Sequence, residues 1–274
     1  MIGVLMSNEL MTENFDCCGG RPEPVPMQHV ISKLDEYLGR NDYSHAESHL
    51  RFWLGEAELR NDRRGQLSLL NELMGLFRKT GQKDNAIDAS DKALRLCGTL
   101  GLEGSTVHGT TLVNAATVYK AFGLASEALP LYIRAREVYD SILTEYDGRR
   151  GGLYNNMALA LVDLERYDEA DQLYRSALGI MSHNRYGELE MAITYLNMAN
   201  AAEARYGLIP AEQQINDCIN RARELLDTPG IPHDGYYAFV CEKCAPTFGY
   251  YGYFLDEAEY RGRAEQIYSG GVGQ

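Results

Sequence analysis

Asparagine side chains recur at a fixed spacing along the chain, and their chemistry suits the recognition of a polypeptide backbone. Asn114 and Asn156 lie 42 residues apart, and Asn197 follows in a fainter copy of the same pattern. A side-chain amide offers both an acceptor and a donor, which match the N–H and C=O groups of an extended main chain. Asparagine is also a poor helix former. Its recurrence in helical segments therefore indicates either contact with a bound chain or hydrogen bonds to loops within the protein.

Two further pairs of residues have the spacing of metal ligands. His45 and His49 lie four residues apart, and Cys241 and Cys244 lie three apart, so the members of each pair share one face of a helix. A structural zinc site needs four ligands, and the remaining close cysteine pair belongs to the opposite end of the chain. The His-Ala-Glu-Ser-His segment also lacks a third ligand and the glutamate position of a zinc protease. We therefore expect no metal site and reduced cysteines.

Catalytic motifs are absent from the sequence. It contains no glycine-rich phosphate loop followed by lysine, no dinucleotide fingerprint and no nucleophile elbow. It has 39 Asp and Glu residues, but carboxylates on amphipathic helices most often form the solvated face. We therefore expect a protein that is not an enzyme and that binds no cofactor.

The segments that carry the asparagines belong to a repeat. Ala86, Ala128 and Ala170 lie 42 residues apart, and another alanine follows each of them by seven residues. Such small residues allow close helix approach, and a fixed period of this length is typical of stacked helix pairs. Each unit is therefore predicted to be a helix, a turn and a second helix. The turns are predicted at Gly81-Gln82, Gly123-Leu124 and Glu165-Arg166.

This pattern resembles the tetratricopeptide repeat. The resemblance is clearest in Tyr154-Asn-Asn-Met-Ala-Leu-Ala and in Tyr167-Asp-Glu-Ala-Asp-Gln-Leu-Tyr-Arg-Ser-Ala-Leu. The usual period of the family is 34 residues, and the longer period here is similar to the kinesin light chain subtype. The resemblance implies an all-α, right-handed superhelical solenoid. It also implies that the first helix of each unit lines a concave groove, which binds an extended peptide or a partner helix.

Fainter copies extend the array to about six antiparallel helix pairs. The fifth copy contains about four extra residues around 207–210, and the sixth is one residue out of register. The predicted units span residues 27–62, 66–103, 108–145, 150–186, 191–228 and 236–268. Residues 1–26, with their alternating prolines, are predicted to form an N-terminal tail, and residues 269–274 a C-terminal tail. We expect one continuous domain, because the core of a solenoid grows with its length.

Together with the resemblance, the asparagine spacing predicts a groove that binds peptide and changes charge along its length. Basic residues stand near the ends of the first helices in the second and third units, whereas Asp163 and Glu203 take similar places in the fourth and fifth. The acidic part of a bound peptide would then lie toward the basic end. Glu72 takes the place of the recurring asparagine in the second unit. The predicted groove residues are Asn71, Arg78, Lys79, Asn114, Lys120, Asn155, Asn156, Asn197 and Asn200.

Charge and hydropathy narrow the range of partners. The net charge is −13, from 26 basic and 39 acidic residues. Binding to duplexes generally needs a basic stripe that displaces counterions, so we expect no nucleic-acid partner. Similar arrays sense peptides in bacterial regulators that carry a helix-turn-helix domain, but residues 1–26 are too short to hold one. No apolar stretch approaches the roughly 20 residues that span a bilayer, and no secretory signal is evident. A cytoplasmic protein without membrane contact is expected.

Three functional interpretations remain open from the sequence. The first is an interaction scaffold for a protein or peptide partner, and the second is an intracellular sensor of a peptide or small ligand that acts through another protein. The third is a structural oligomer built end to end. Tyrosines concentrated in the last unit bear on the third, because such a cluster either caps the stack or forms a homodimer interface. They are Tyr236, Tyr237, Tyr250, Tyr251, Tyr253, Tyr260 and Tyr268.

Overall fold

A computed structural model describes residues 23–270 of the chain. Within this range there are twelve α-helices and no strand, and consecutive helices pack in pairs. The helices are α1 (Met27–Gly39), α2 (Tyr43–Leu59), α3 (Arg63–Lys79), α4 (Lys83–Thr99), α5 (Thr106–Ala121), α6 (Ala125–Ile142), α7 (Gly148–Asp163), α8 (Tyr167–Met181), α9 (Glu188–Tyr206), α10 (Glu212–Leu226), α11 (Gly235–Tyr250) and α12 (Phe254–Gly270). The all-α repeat solenoid of six helix pairs is therefore confirmed. None of these helices combines the length and the apolar character needed to cross a bilayer.

The chain divides into two compact units, Met1–Ile142 and Leu143–Gln274. The first unit contains α1 to α6 and the second contains α7 to α12. Odd-numbered helices are the first helices of their pairs, and α3 contacts α5 while α9 contacts both α7 and α11. The six repeat ranges and the right-handed superhelix stay predictions. Most of both predicted tails, together with the cysteine pair at positions 17 and 18, lies outside the described residues.

A common turn ends most of the first helices. After α3, Gly81 has a φ of +73°, a conformation that glycine adopts without steric strain. The backbone N–H of Gln82 then donates to the carbonyl of Phe77 at 2.8 Å. This pairing satisfies a carbonyl that the helix end would otherwise leave without a partner. Glu165, after α7, adopts a φ of +58° in the equivalent turn. The turns predicted between the two helices of a pair are thus formed whether or not glycine is present.

Small residues allow the two helices of each pair to approach closely. The repeat alanines Ala86, Ala128 and Ala170 are fully buried, as their spacing predicts, and so is the packing alanine Ala158 on α7. Gly109 near the start of α5 lies against the Tyr139 ring near the end of α6, and a Cβ atom there would clash with the ring. Forty-two residues later, Gly151 lies against Met181 in the same way. The same contact between the two helices of a pair therefore recurs with the period of the repeat.

Enlarging a packing alanine tests this geometry. Ala158 has no exposed surface, so Ala158→Leu should overpack its helix junction and lower the free energy of unfolding by about 1–3 kcal/mol. Ala258→Leu, at an exposed position of α12, is the matched control and should leave stability unchanged within ~0.5 kcal/mol. Urea denaturation followed by circular dichroism measures both. Equal stability of Ala158→Leu and the parent would show that this alanine tolerates bulk.

Several tyrosines of the last helix pair form hydrogen bonds to α9 and α10 of the same unit. The Tyr236 hydroxyl donates to the Glu190 carboxylate, and the Tyr251 hydroxyl donates to Asn200 Oδ1 at 3.0 Å. Tyr253 donates to an asparagine of α10 at 2.8 Å. These bonds attach α11 and the following turn to α9 and α10, which is the arrangement expected of a cap. A homodimer through this end stays a prediction.

Candidate functional site

Asn71 and Asn114 form an amide pair between neighbouring first helices of the first unit. Asn114 Nδ2 donates to Asn71 Oδ1 at 2.9 Å. Asn71 is 5% exposed, and its own Nδ2 lies 2.9 Å from the Leu67 carbonyl and 3.4 Å from Thr111 Oγ1. Since both ends of the Asn71 amide are engaged inside the protein, this residue joins α3 to α5. Asn71 therefore has no amide group left for a ligand, and any ligand bound at these helices must be recognised by other residues.

The second unit repeats the same pair. Asn197 Nδ2 on α9 donates to Asn155 Oδ1 on α7 at 3.1 Å. Asn200 is exposed and accepts the bond from Tyr251. Asn156 is half-buried and makes no hydrogen bond to any described residue, and the side-chain oxygen of Asn197 accepts none. Two of the asparagine pairs thus bond between first helices, whereas Asn200 bonds to the turn after α11. Asn156 and the Asn197 oxygen retain capacity for a ligand.

Glu72 occupies the corresponding place on α3, with a different environment. Its side chain is 5% exposed, and its carboxylate makes no hydrogen bond or ion pair with any residue from 23 to 270. Burial, and secondarily the negative charge of Asp35 on α1, raises the pKa of Glu72 to about 7. At the two asparagine pairs the preceding first helix supplies an amide. No residue of α1 donates a hydrogen bond to the Glu72 carboxylate.

The predicted basic residues do not form one patch. Arg78 is half-buried near the end of α3 and makes no ion pair with any described residue, and its burial lowers the pKa of the guanidinium. Arginine nevertheless stays charged at neutral pH. Lys79 is exposed, with its ammonium 5.2 Å from the centre of the Tyr43 ring on α2. Lys120 is half-buried at the end of α5. Arg78 is therefore the cation of this set whose burial and lack of an ion partner favour a role in binding.

The two histidines form hydrogen bonds within the protein, and the two cysteines are buried. His45 Nδ1 lies 2.8 Å from the carboxylate of Asp42, which caps α2, and His49 Nε2 lies 3.0 Å from the Val30 carbonyl. Cys241 is buried with its neighbour three residues on, and burial raises the pKa of the Cys241 thiol to about 11. Across residues 23–270, no three His, Cys, Asp or Glu side chains are grouped so that they could hold a metal ion.

Sequence reasoning identified the register of this site and missed one of its main features. Glu72 was recognised as the residue that replaces asparagine, but acidic residues on amphipathic helices are expected to face solvent. Its burial depends on the helices that surround it and leaves no direct mark on the sequence. The available signal was an acid at a position where the other units carry an amide.

Comparison with known proteins supports this fold. Residues 152–181 match the tetratricopeptide repeat family. The structure of BtubC (BKLC) from P. vanneervenii is similar, with a TM-score of 0.62 and 22% identity, covering 73% of this chain and 79% of that one. No curated protein matches the chain in sequence.

Two other solved structures share the architecture. A putative kinesin light chain from Podosopora anserina, with nearly identical TPR-like repeats, gives a TM-score of 0.50 at 15% identity, over 76% of this chain and 98% of that one. A Rap protein in complex with Competence and Sporulation Factor gives 0.51 at 15% identity, over 87% and 73%. These likenesses show the fold. With the repeat match, they confirm the resemblance to tetratricopeptide-repeat proteins of the kinesin light chain type.

Proposed function

We propose that this chain, a tetratricopeptide-like repeat solenoid, is a non-enzymatic interaction scaffold that binds an extended peptide or a partner helix along its first helices. The fold supports a role as an interaction scaffold, since repeats of this type generally mediate contacts with protein partners. The proposed binding of a peptide or helix along the first helices rests on the amides of those helices. Asn156 on α7 and the side-chain oxygen of Asn197 on α9 have hydrogen-bonding capacity that no described residue uses.

An extended segment has the chemistry that these groups require. Its main chain alternates donors and acceptors, so amides on successive first helices can hold it without regard to its sequence. On the first unit, charge then sets the direction of a bound segment, because its acidic part would lie toward Arg78, Lys79 and Lys120. Such charges at the edge of an interface affect orientation and association rate more than total affinity. The proposal includes a cytoplasmic location, with neither nucleic acid nor membrane as partner.

The proposal predicts that a peptide selected on the parent protein loses affinity when Asn156 is truncated. A random peptide library displayed on phage supplies the ligand, and titration by fluorescence anisotropy measures its affinity. Asn156→Ala should weaken binding by about 1–3 kcal/mol, because peptide groups buried against the helix would be left unpaired. Loss of the amide should leave the fold intact, since Asn156 bonds to no described residue.

The matched control for this titration is Asn85→Ala. Asn85 is an exposed amide on the second helix α4, where its Nδ2 donates to Gln82 Oε1 at 2.7 Å. This variant should bind the selected peptide as the parent does. Equal affinity of the parent and of a well-folded Asn156→Ala would place the binding surface away from the first helices. A stronger effect of Asn85→Ala would place it on the second helices.

The sensor interpretation is the second candidate. The observation that favours it is the likeness in fold to a Rap protein solved in complex with Competence and Sporulation Factor. A sensor must change its conformation when the ligand binds, whereas a scaffold can stay rigid. Small-angle scattering of the protein with and without a selected peptide separates the two. A change in radius of gyration favours the sensor.

A further inference from the structure

Large apolar side chains are exposed at two turns of the second unit, the turn between α9 and α10 and the turn between α11 and α12. We call this group the apolar edge, and its members are Tyr206, Leu208, Ile209, Tyr250, Phe254 and Leu255. Ile209 is 85% exposed and Leu255 is 87% exposed. Single exposed apolar residues are ordinary on protein surfaces, whereas a concentrated group of them marks an interaction surface.

Hydrogen bonds hold these two turns side by side. The Tyr250 and Tyr251 hydroxyls, at the end of α11, both donate to the Glu203 carboxylate near the end of α9, each at 2.8 Å. The Tyr253 hydroxyl donates to Asn216 Oδ1 near the start of α10. Because α9 contacts α11 and packed helices lie about 8–10 Å apart, the exposed residues of the two turns belong to one surface.

The turn between α9 and α10 is where the fifth repeat carries its extra residues. Five residues separate α9 from α10, whereas three separate α3 from α4. Leu208 and Ile209 lie within the longer turn and expose most of their surface, so they contribute little to the core. Turns without a packing role usually consist of glycine, proline and small polar residues. Two apolar side chains at this place therefore indicate contact with a partner.

The charge beside the apolar edge is negative. Glu203 lies near the end of α9 and Glu212 at the start of α10, and neither carboxylate makes an ion pair with a described residue. Arg205 and Arg223 are each already paired with a carboxylate of the same unit. A partner that covers the apolar edge therefore gains from basic residues at its border, whereas an anionic lipid surface is repelled.

We propose that the apolar edge binds an amphipathic helix of a partner protein, with lysine or arginine on both sides of its apolar stripe. This surface is separate from the amides of the first helices and goes beyond the proposed function. Leu208, Ile209, Phe254 and Leu255 offer no polar side-chain atom to an extended main chain. A helix satisfies its own backbone groups and presents only side chains, so it can lie on such a surface.

The dimensions of a helix also suit the two turns. Side chains seven residues apart lie about 10 Å apart along a helix axis. Neighbouring turns of the array are separated by about the same distance, 8–10 Å. Apolar residues at positions i, i+3, i+4 and i+7 of the bound helix would therefore contact both turns at once.

Selection from two peptide libraries on the full chain tests the proposal. Both libraries display peptides of about 18 residues, long enough to form a helix when bound, with Leu, Ile, Phe or Met at positions i, i+3, i+4 and i+7. The remaining positions are rich in Lys and Arg in one library and in Asp and Glu in the other. Peptides from the basic library should be enriched on the parent, and peptides from the acidic library should not.

The test variant combines Ile209→Gln with Leu255→Gln. Because both side chains are exposed, the fold should persist, as circular dichroism can verify. Enrichment should fall roughly tenfold or more, since each substitution removes an apolar contact that the helix would bury. The matched control combines Phe52→Gln with Leu59→Gln, at exposed apolar positions of α2 in the first unit, and should keep the enrichment.

Two further measurements locate the complex of the parent with the most enriched basic peptide. Hydrogen exchange should slow in residues 206–212 and 250–256 and stay unchanged in α2. Glu212→Gln should slow association at low salt more than it speeds dissociation, because charges at the border of an interface act mainly on encounter. Glu58→Gln, an exposed acid on α2, is the control for this change and should have no effect.

The remaining outcomes would overturn the inference. Equal enrichment on the folded test variant, protection of other residues, or equal enrichment from the acidic library would each contradict a basic helix at the apolar edge. A parent dimer that the test variant converts to monomers would assign the edge to a second copy of this chain. Asn156→Ala should keep the enrichment, so failure of the first-helix proposal and failure of this one can be distinguished.

Discussion

Replacing Glu72 by glutamine is expected to stabilise the folded protein at pH 8 by on the order of 3 kcal/mol. The pKa of this carboxyl rises from an ordinary value of 4.5 to about 7 on folding. Burial is the main cause and Asp35 the second. A raised carboxyl pKa means that the folded state resists ionisation. The penalty is therefore absent below about pH 4.5, grows as pH rises, and is complete above about pH 7.

Guanidinium denaturation of parent and Glu72→Gln at pH 5 and pH 8 measures this effect. The stability difference should be small at pH 5 and reach its full value at pH 8, because glutamine is neutral throughout. Glu58→Gln, at an exposed site, should show little difference at either pH. A gain for Glu72→Gln that is the same at both pH values would contradict the burial of an ionisable carboxyl.

The sequence was sufficient to predict the repeat architecture because the contacts that define it are periodic. Each packing alanine recurs at the same offset from a turn, and the turn chemistry at Gly81 needs only local backbone preferences. The burial of Ala158 follows from that register. The break after Ile142 into two compact units left no comparable signal. A solenoid sequence shows which helices pair, and it does not show where one compact unit ends.

The candidate site was predicted less completely. Periodicity placed the asparagines on the first helices, but it could not distinguish a ligand contact from a bond to the next helix. In the structure Asn71 and Asn155 accept bonds from asparagines one repeat later. This distinction depends on distances of about 3 Å between helices, which residue spacing does not resolve. Likewise, whether a described residue pairs with Glu72 depends on the helices around it and cannot be read from its own position.

The tyrosine cluster illustrates the same limit. Composition alone allows a cap or an interface, because tyrosine serves both with its apolar ring and polar hydroxyl. The structure shows that hydroxyls of α11 and the following turn bond to acceptors on α9 and α10. Tyr250 is 68% exposed and is one of two tyrosines in the cluster with large exposed surface. Its hydroxyl also donates to Glu203 on α9 at 2.8 Å, but because most of Tyr250 is exposed, an interface role can be tested there separately from the buried tyrosines.

Phe248→Ala is expected to release the last helix pair while leaving the first unit folded. Phe248 has no exposed surface, and its ring centre lies 5.1 Å from that of Tyr260 on α12. Truncation of a buried phenylalanine costs about 3–5 kcal/mol. In a repeat array each pair contacts only its neighbours, so the loss should remain local. Hydrogen exchange should accelerate in residues 235–270 and stay unchanged in residues 27–142.

Tyr250→Ala is the matched aromatic truncation on the same helix. Because most of Tyr250 is exposed, its loss should leave hydrogen exchange in α11 and α12 near that of the parent. Light scattering on both variants separates capping from dimerisation. If the end of the second unit is a cap, neither the parent nor Tyr250→Ala exceeds the mass of one chain. A parent dimer that Tyr250→Ala converts to monomer, with its exchange pattern intact, would instead make the exposed tyrosine an interface residue and the buried ones its support.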